Sequence, residues 1–305
     1  MVPRPRLQTL RLGRGWATAA PSTAPSTAPA PKLARALSAC SSRFSKTSTT
    51  FSADAITDPP PRWLSDIRSR LGKCLMFGCS PAQVAEAGQV IRALAGEWRE
   101  LLAGSEGFLT GGRRGLDGQQ VVWGEQDSFQ HVNNVRYIRW AESSRVNWVT
   151  NFALHVDPAH RKEWSELMTP KSVGLILKSI KSDFKFPMTY PDKVSVYHKL
   201  RLPPSAQPSP SSLILDAVIY SHRHQRVAAR IEEDIVIYDY ESAKKTEMLP
   251  FMRDVLEDTF RLQKSEEARA RKRIWDLINS VEKLEKETWD RADAVEDNGT
   301  ATKTG

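Results

Sequence analysis

The strongest restriction on the fold comes from one stretch, residues 133–151, which reads as a helix with apolar residues on nearly every face. Val135, Ile138, Ala141, Val149 and Phe152 recur at helical spacing, and Tyr137, Trp140 and Trp148 occupy other faces. A helix furnished in this way is a buried one. Asn133 and Asn134 supply capping side chains at its start, and Asp157-Pro158 ends the region. Gly124 and a polar run through Ser128 separate it from an extended stretch, 119–123, that precedes it.

A short extra turn is expected at 164–168, and then four extended segments. The first, 173–186, carries Leu175, Leu177, Ile180, Phe184 and Phe186. Two prolines and Asp192 make a turn of 187–192. The second, 193–202, alternates through Val194, Val196, Leu200 and Leu202. A Pro/Ser loop, 203–210, leads to the third at 213–221. His222-Arg223-His224-Gln225 then forms a tight hairpin link to the fourth at 227–238. One strand, a long helix and four antiparallel strands make an α+β order.

Between the first strand and the helix runs Trp123-Gly124-Glu125-Gln126-Asp127-Ser128-Phe129-Gln130-His131-Val132-Asn133-Asn134. It sets a carboxylate, Asp127, and an imidazole, His131, beside the positive end of a helix. Free backbone N–H groups at such an end bind an anion or an oxyanion. Followed by Tyr137, Trp140, Glu142 and Arg145, this run resembles the opening of the hotdog-fold acyl-CoA thioesterases. Within the thioesterase/thiol ester dehydrase-isomerase superfamily it is similar to the 4-hydroxybenzoyl-CoA thioesterase group, in a mitochondrial form of fungal type. The likeness extends, more weakly, from about residue 119 to 240.

The resemblance implies an antiparallel sheet wrapped around the long central helix, in a domain spanning 117–242. It implies hydrolysis of an acyl-CoA, with Asp127 as the general base activating water or as the nucleophile forming an anhydride. His131 would orient Asp127 or the thioester carbonyl. The amides near Val132, Asn133 and Asn134 would form the oxyanion hole, the two asparagines would shape the pocket, and Tyr137 would line the acyl chamber. No cofactor is implied beyond the CoA carried by the substrate. The pocket of such domains lies between subunits, so a homodimer or homotetramer is implied too. One position departs from the pattern: the family has Gly immediately before the His, and this chain has Gln130. Gly there lets the backbone take an unusual angle or approach the thioester closely, and a side chain narrows the site. The alternative is therefore a non-catalytic hotdog domain kept as a structural or assembly component.

The 305 residues contain 40% apolar side chains, enough for a packed core, and no apolar run long enough to span a membrane. The net charge of +8 is local. Residues 1–53 hold Arg4, Arg6, Arg11, Arg14, Lys32, Arg35, Arg43 and Lys46 and no acid. With those eight set aside, the 44 basic residues fall to 36, equal to the 36 acids. The body is neutral and makes no case for DNA. The leader, rich in Arg, Ser, Thr, Ala and Pro, reads as a mitochondrial presequence directing the chain to the matrix. Residues 54–110 read as a helical hairpin, with Trp63, Ile67, Leu71 and Leu75 on one stripe and Val84 to Leu102 on the other helix. The loop Gly111-Gly112-Arg113-Arg114-Gly115 offers arginines to a phosphate, such as that of CoA, or serves as a linker. Cys74 and Cys79 lack a second pair and are expected as ordinary thiols, and His222 and His224 lack a third ligand for a metal. Residues 250–292 read as a long charged helix. Its narrow stripe of Ile274, Leu277, Val281 and Leu284 fits either a solvated helix laid on the domain or a docking helix for a protein partner. The tail, 293–305, reads as disordered.

Overall fold

The computed structural model describes residues 57–295. The expected leader with Cys40, and the tail beyond residue 295, lie outside the described residues. Three helices come first: α1 (Trp63–Met76), α2 (Pro81–Gly96) and α3 (Trp98–Gly104). The expected second helix breaks at Glu97, so the hairpin is a three-helix unit. A reciprocal cap opens α2, in which Ser80 Oγ accepts from the Gln83 amide and Gln83 Oε1 from the Ser80 amide. Trp63, Ile67 and Leu71 are buried as their spacing requires, while Leu75 is exposed, as are Val84 and Ile91 on the outer side of α2.

Strand β1 (Gly115–Val121) begins earlier than expected and stops before Trp123, which opens a single tight turn, Trp123–Glu125, and stands 75% exposed. The start of β1 needs glycine, because a Cβ on Gly115 would lie 2.1 Å from the Val196 carbonyl oxygen. Helix α4 (Asn134–Asn151) follows, with Asn133 Oδ1 accepting from the Val135 amide as its cap. A π-helical turn, Phe152–Val156, leads on to α5 (Arg161–Glu166). Then come β2 (Val173–Phe184), β3 (Asp192–Leu200), β4 (Ser212–Ser221), β5 (Arg226–Asp239), the two-residue β6 (Lys244–Lys245) and the 39-residue α6 (Pro250–Thr288). The antiparallel sheet has the order β1-β3-β4-β5-β2, with β6 against β5.

Successive strand residues face opposite sides, and here both sides are used. Val194, Val196, Ala217 and Ile219 pack with Tyr137, Trp140 and Ala141 of α4. Tyr197, Val218 and Tyr220 face the other way, into a second core made with α1, α2, α3 and α6. The hotdog arrangement is thus present, with a helical layer added on the sheet's outer face. Two expectations need correction. Helix α4 is covered on one side only: Val135 is 58% exposed and Val146 38%. Helix α6 is laid on the domain with its outer side in solvent, and it is the docking reading that loses its stripe. Its stripe of Ile274, Leu277, Val281 and Leu284 is fully spent inside the chain against α1–α3, and Met252 and Leu256 close the end of the core under α4 and α5.

Candidate active site

The end of β1 and the start of α4 are joined by a short loop closed on itself. Gln126 and Val132 form an isolated antiparallel bridge. Inside it the Asp127 amide donates to the His131 carbonyl at 2.9 Å and the Gln130 amide to the Asp127 carbonyl at 2.9 Å. To close so tightly, Gln130 adopts φ +62°, the left-handed region. That is the position where the sequence pattern calls for glycine, and the reason is now geometric: the turn needs an angle glycine reaches freely. Glu125, 8% exposed, pins the loop from below. Its Oε2 accepts from the Val122 amide and its carbonyl from the Asn133 amide, both at 2.9 Å.

Asp127 is half-buried at the wall of a cleft of about 600 Å³, lined also by Trp123, Gln126, Gln130, Thr189 and Tyr190. Its Oδ1 accepts from the Phe129 amide at 2.8 Å, and its other oxygen has no partner among the described residues. A carboxylate held at one oxygen and free at the other can take a proton from water or attack a carbonyl. Trp123 and Tyr190, both exposed, leave the mouth aromatic and open.

The other expected site residues separate. His131 is exposed and its ring makes no hydrogen bond to Asp127 among the described residues. The Val132 amide donates to the Met188 carbonyl at 2.8 Å and the Asn133 amide is taken by Glu125. Of the three amides considered for an oxyanion, the Asn134 amide alone has no protein acceptor among the described residues. Asn133 caps α4. Tyr137, 2% exposed, lies in the core against Trp140 and Phe184 instead of in the cleft. Burial raises its phenol above the ordinary value. Thr189 and Tyr190 were not foreseen. Their turn was legible, but its seat beside Asp127 rests on the Val132–Met188 hydrogen bond, which leaves no local signature.

Arg145, from the same sequence pattern, works inside the core. Its guanidinium meets Glu233 Oε1 at 2.5 Å, His198 Nε2 lies 3.3 Å from Glu233 Oε2 without hydrogen-bond alignment, and His198 Nδ1 is 3.0 Å from Ser144 Oγ. Burial opposes the charge on Glu233, but His198 and Arg145 outweigh it and hold the carboxyl below its ordinary value. Ser144 is wholly buried and bonds the Val196 carbonyl, so this row of Ser, His and Glu fixes α4 to β3 and β5 and offers no nucleophile. Cys74 and Cys79 are free thiols. His222 bonds Ser195 Oγ at 2.8 Å and His224 stands at the hairpin tip, and no metal-binding cluster occurs among the described residues. No helix among the described residues is long and apolar enough to cross a membrane. In α6, Arg269, Arg271 and Arg273 pair with Glu266, Glu267 and Glu97.

Residues 121–256, which hold most of the sheet, the capped central helix and the acid in its open cleft, match the family model for the thioesterase-like superfamily. No curated protein matches the chain. Among solved structures, it is similar to a DHNA-CoA thioesterase from Staphylococcus aureus, at 12% identity over 48% of this chain and 90% of that one, with a TM-score of 0.38. It is similar also to the probable thioesterase YbaW from Escherichia coli, at 23% identity over 46% of this chain and 95% of that one, with a TM-score of 0.36. A thioesterase from Thermus thermophilus, solved with coenzyme A and zinc, is 16% identical over 47% of this chain and 92% of its own, with a TM-score of 0.36.

Proposed function

We propose that the domain hydrolyses an acyl-CoA thioester, with Asp127 as general base or nucleophile. The observation that carries this reading is the Asp127 carboxylate, fixed at Oδ1 by the Phe129 amide and open at its other oxygen to the cleft. The Asn134 amide, at the positive end of α4, is the donor available to the developing oxyanion. A thiolate leaves readily, so no strong general acid is required, which suits a site where the His131 ring stands apart. The exposed side of α4, the aromatic mouth and the free edge of the 12-residue strand β2 support a homodimer or homotetramer in which a second copy completes the cleft. The basic leader supports delivery to the mitochondrial matrix.

Hydrolysis of a panel of acyl-CoAs by the purified chain and by Asp127→Asn tests the chemistry. The expected outcome is release of free CoA by the wild type and a loss of about 10²-fold or more in kcat for the variant. One observation favours the second reading, a scaffold without catalysis: Gln130 brings a side chain to the cleft where the family has none. Inactivity of the folded wild type across all chain lengths and aryl groups decides for the scaffold.

A further inference from the structure

We propose that the groove between α1 and α2 receives an acidic amphipathic helix of another protein. Both helices precede the family-matched stretch, 121–256, so this surface is not the hotdog domain's own. Leu71, Gly72 and Leu75 of α1 face Ile91, Leu94 and Ala95 of α2 across a groove of about 350 Å³. Leu71 and Leu94 are its buried floor, while Leu75 and Ile91 stand 45% and 48% exposed on its walls. Gly72 keeps the α1 wall low, and a Cβ there would meet nothing within 4 Å. The apolar surface runs on past the groove. Val84, 52% exposed, precedes Ile91 by two turns and Ala95 by three, so the three share one seam of α2 about 16 Å long.

Arg68 and Arg92 border this surface. Arg68 lines the groove from α1. Arg92 folds back over Gly88, on the seam between Val84 and Ile91, with Nη1 3.4 Å from where a Cβ on that glycine would lie. Both arginines are exposed, and neither has an ion-pair or hydrogen-bond partner among the described residues. No acid among the described residues lines the groove. At about 100° per residue Asp66 falls on the far side of α1 from Arg68. Glu86 falls on the side of α2 turned to α6, where it meets Lys283 at 3.0 Å. An apolar seam three turns long between two ridges is the seat of a helix with its own apolar stripe. The two arginines on that seam call for acids on the flanks of the incoming helix. A second copy of this face brings Arg68 and Arg92 against like charges, which opposes self-pairing. A single fatty acyl chain fills the groove but leaves Val84 in water.

The test uses the full chain and two fluorescein-labelled peptides of about 18 residues. They share a leucine stripe at helical spacing, and one is flanked by Glu, the other by Lys. In fluorescence anisotropy the Glu-flanked peptide should bind with a Kd below about 100 µM, at least about tenfold more tightly than its counterpart, and more weakly as salt is added. Gly72→Leu puts a side chain into the open groove. It should weaken that binding about tenfold or more while the melting temperature stays level or rises. Arg68→Glu/Arg92→Glu, with its melting temperature checked in the same way, should reverse the preference so that the Lys-flanked peptide binds better. Failure of the wild type to bind either peptide overturns the proposal. So does equal binding of the two, binding that survives Gly72→Leu, or a preference that the double variant leaves in place. Self-association in sedimentation velocity that Gly72→Leu abolishes would make the occupant a second copy instead. Dodecanoate that binds the wild type more tightly than the Glu-flanked peptide, and not Gly72→Leu, would make it an acyl chain. Each arm reads binding alone and is independent of thioester hydrolysis.

Discussion

Gln130 shows how a single residue can carry both a family signature and a local strain. The closed loop around Asp127 demands the left-handed angle at this position, and a side chain with a Cβ adopts it at a cost of about 1–2 kcal/mol. Glycine removes that cost but gives the unfolded chain more freedom, worth about 0.4–1 kcal/mol. Gln130→Gly should therefore be between neutral and about 1.6 kcal/mol more stable in urea unfolding. Gln130→Val, branched at Cβ, should lose about 1–2 kcal/mol or more. If both variants match the wild type, the loop is not strained and the fit of glycine to this position needs another cause. Activity adds a second measure, since the glycine variant also opens the cleft: higher kcat/KM in Gln130→Gly supports the view that the side chain narrows the site.

At the scale of elements, helix α6 illustrates where reading a sequence stops. Its strong charge and narrow stripe fitted a solvated helix laid on the domain or a docking helix for a partner, and Gln263 and Thr259 entered neither reading. Both are buried. Gln263 Oε1 accepts from the Leu200 amide at 2.9 Å and its Nε2 donates to the Leu200 carbonyl at 3.0 Å, so its amide continues the ladder at the end of β3. A side chain that satisfies a strand's backbone looks, in the sequence, like one that meets water. Gln263→Ala strands both Leu200 groups in the interior at about 1–3 kcal/mol each, so denaturant unfolding should show a loss of about 2–6 kcal/mol. A loss under about 0.5 kcal/mol means water reaches that strand end. Elements with a strict period fared better. The four strands and the central helix were placed to within a few residues, since alternation and the Asn133 cap are local facts. The one-sided cover of α4 was not legible, because the number of residues a sheet can wrap around a helix depends on strand order and twist. The site divides in the same way. Asp127 in an open cleft agrees with the sequence pattern, while the engagement of the Val132 and Asn133 amides depends on Met188 and Glu125.

For the molecule as a whole, the sheet has a core on each face, and the outer one belongs to segments outside the family-matched stretch. Tyr197, Val218 and Tyr220 lie under α1–α3 and the C-terminal half of α6. Arg70 of α1 and Glu285 of α6 are joined by two hydrogen bonds, Nε to Oε1 at 2.9 Å and a 2.5 Å contact to Oε2, and Glu285 is nearly buried. The added helices are thus bound into the fold by an apolar interface comparable in kind to the one beneath α4, and they should not melt independently. Thermal unfolding followed by far-UV circular dichroism, which weights the helices, should coincide with that followed by tryptophan fluorescence. The fluorescence reports from both cores, through Trp63 and Trp98 on one side and Trp140, Trp148 and Trp164 on the other. Leu277→Asp, which buries a charge in the helical layer alone, should lower both curves together by several degrees. Two separated transitions, with the helical signal lost first in the variant, would show instead that the hotdog domain stands by itself. The case for one cooperative unit rests on Tyr197 and Tyr220: on strands β3 and β4 that also build the core under α4, they cannot lose their cover without exposing the middle of the sheet.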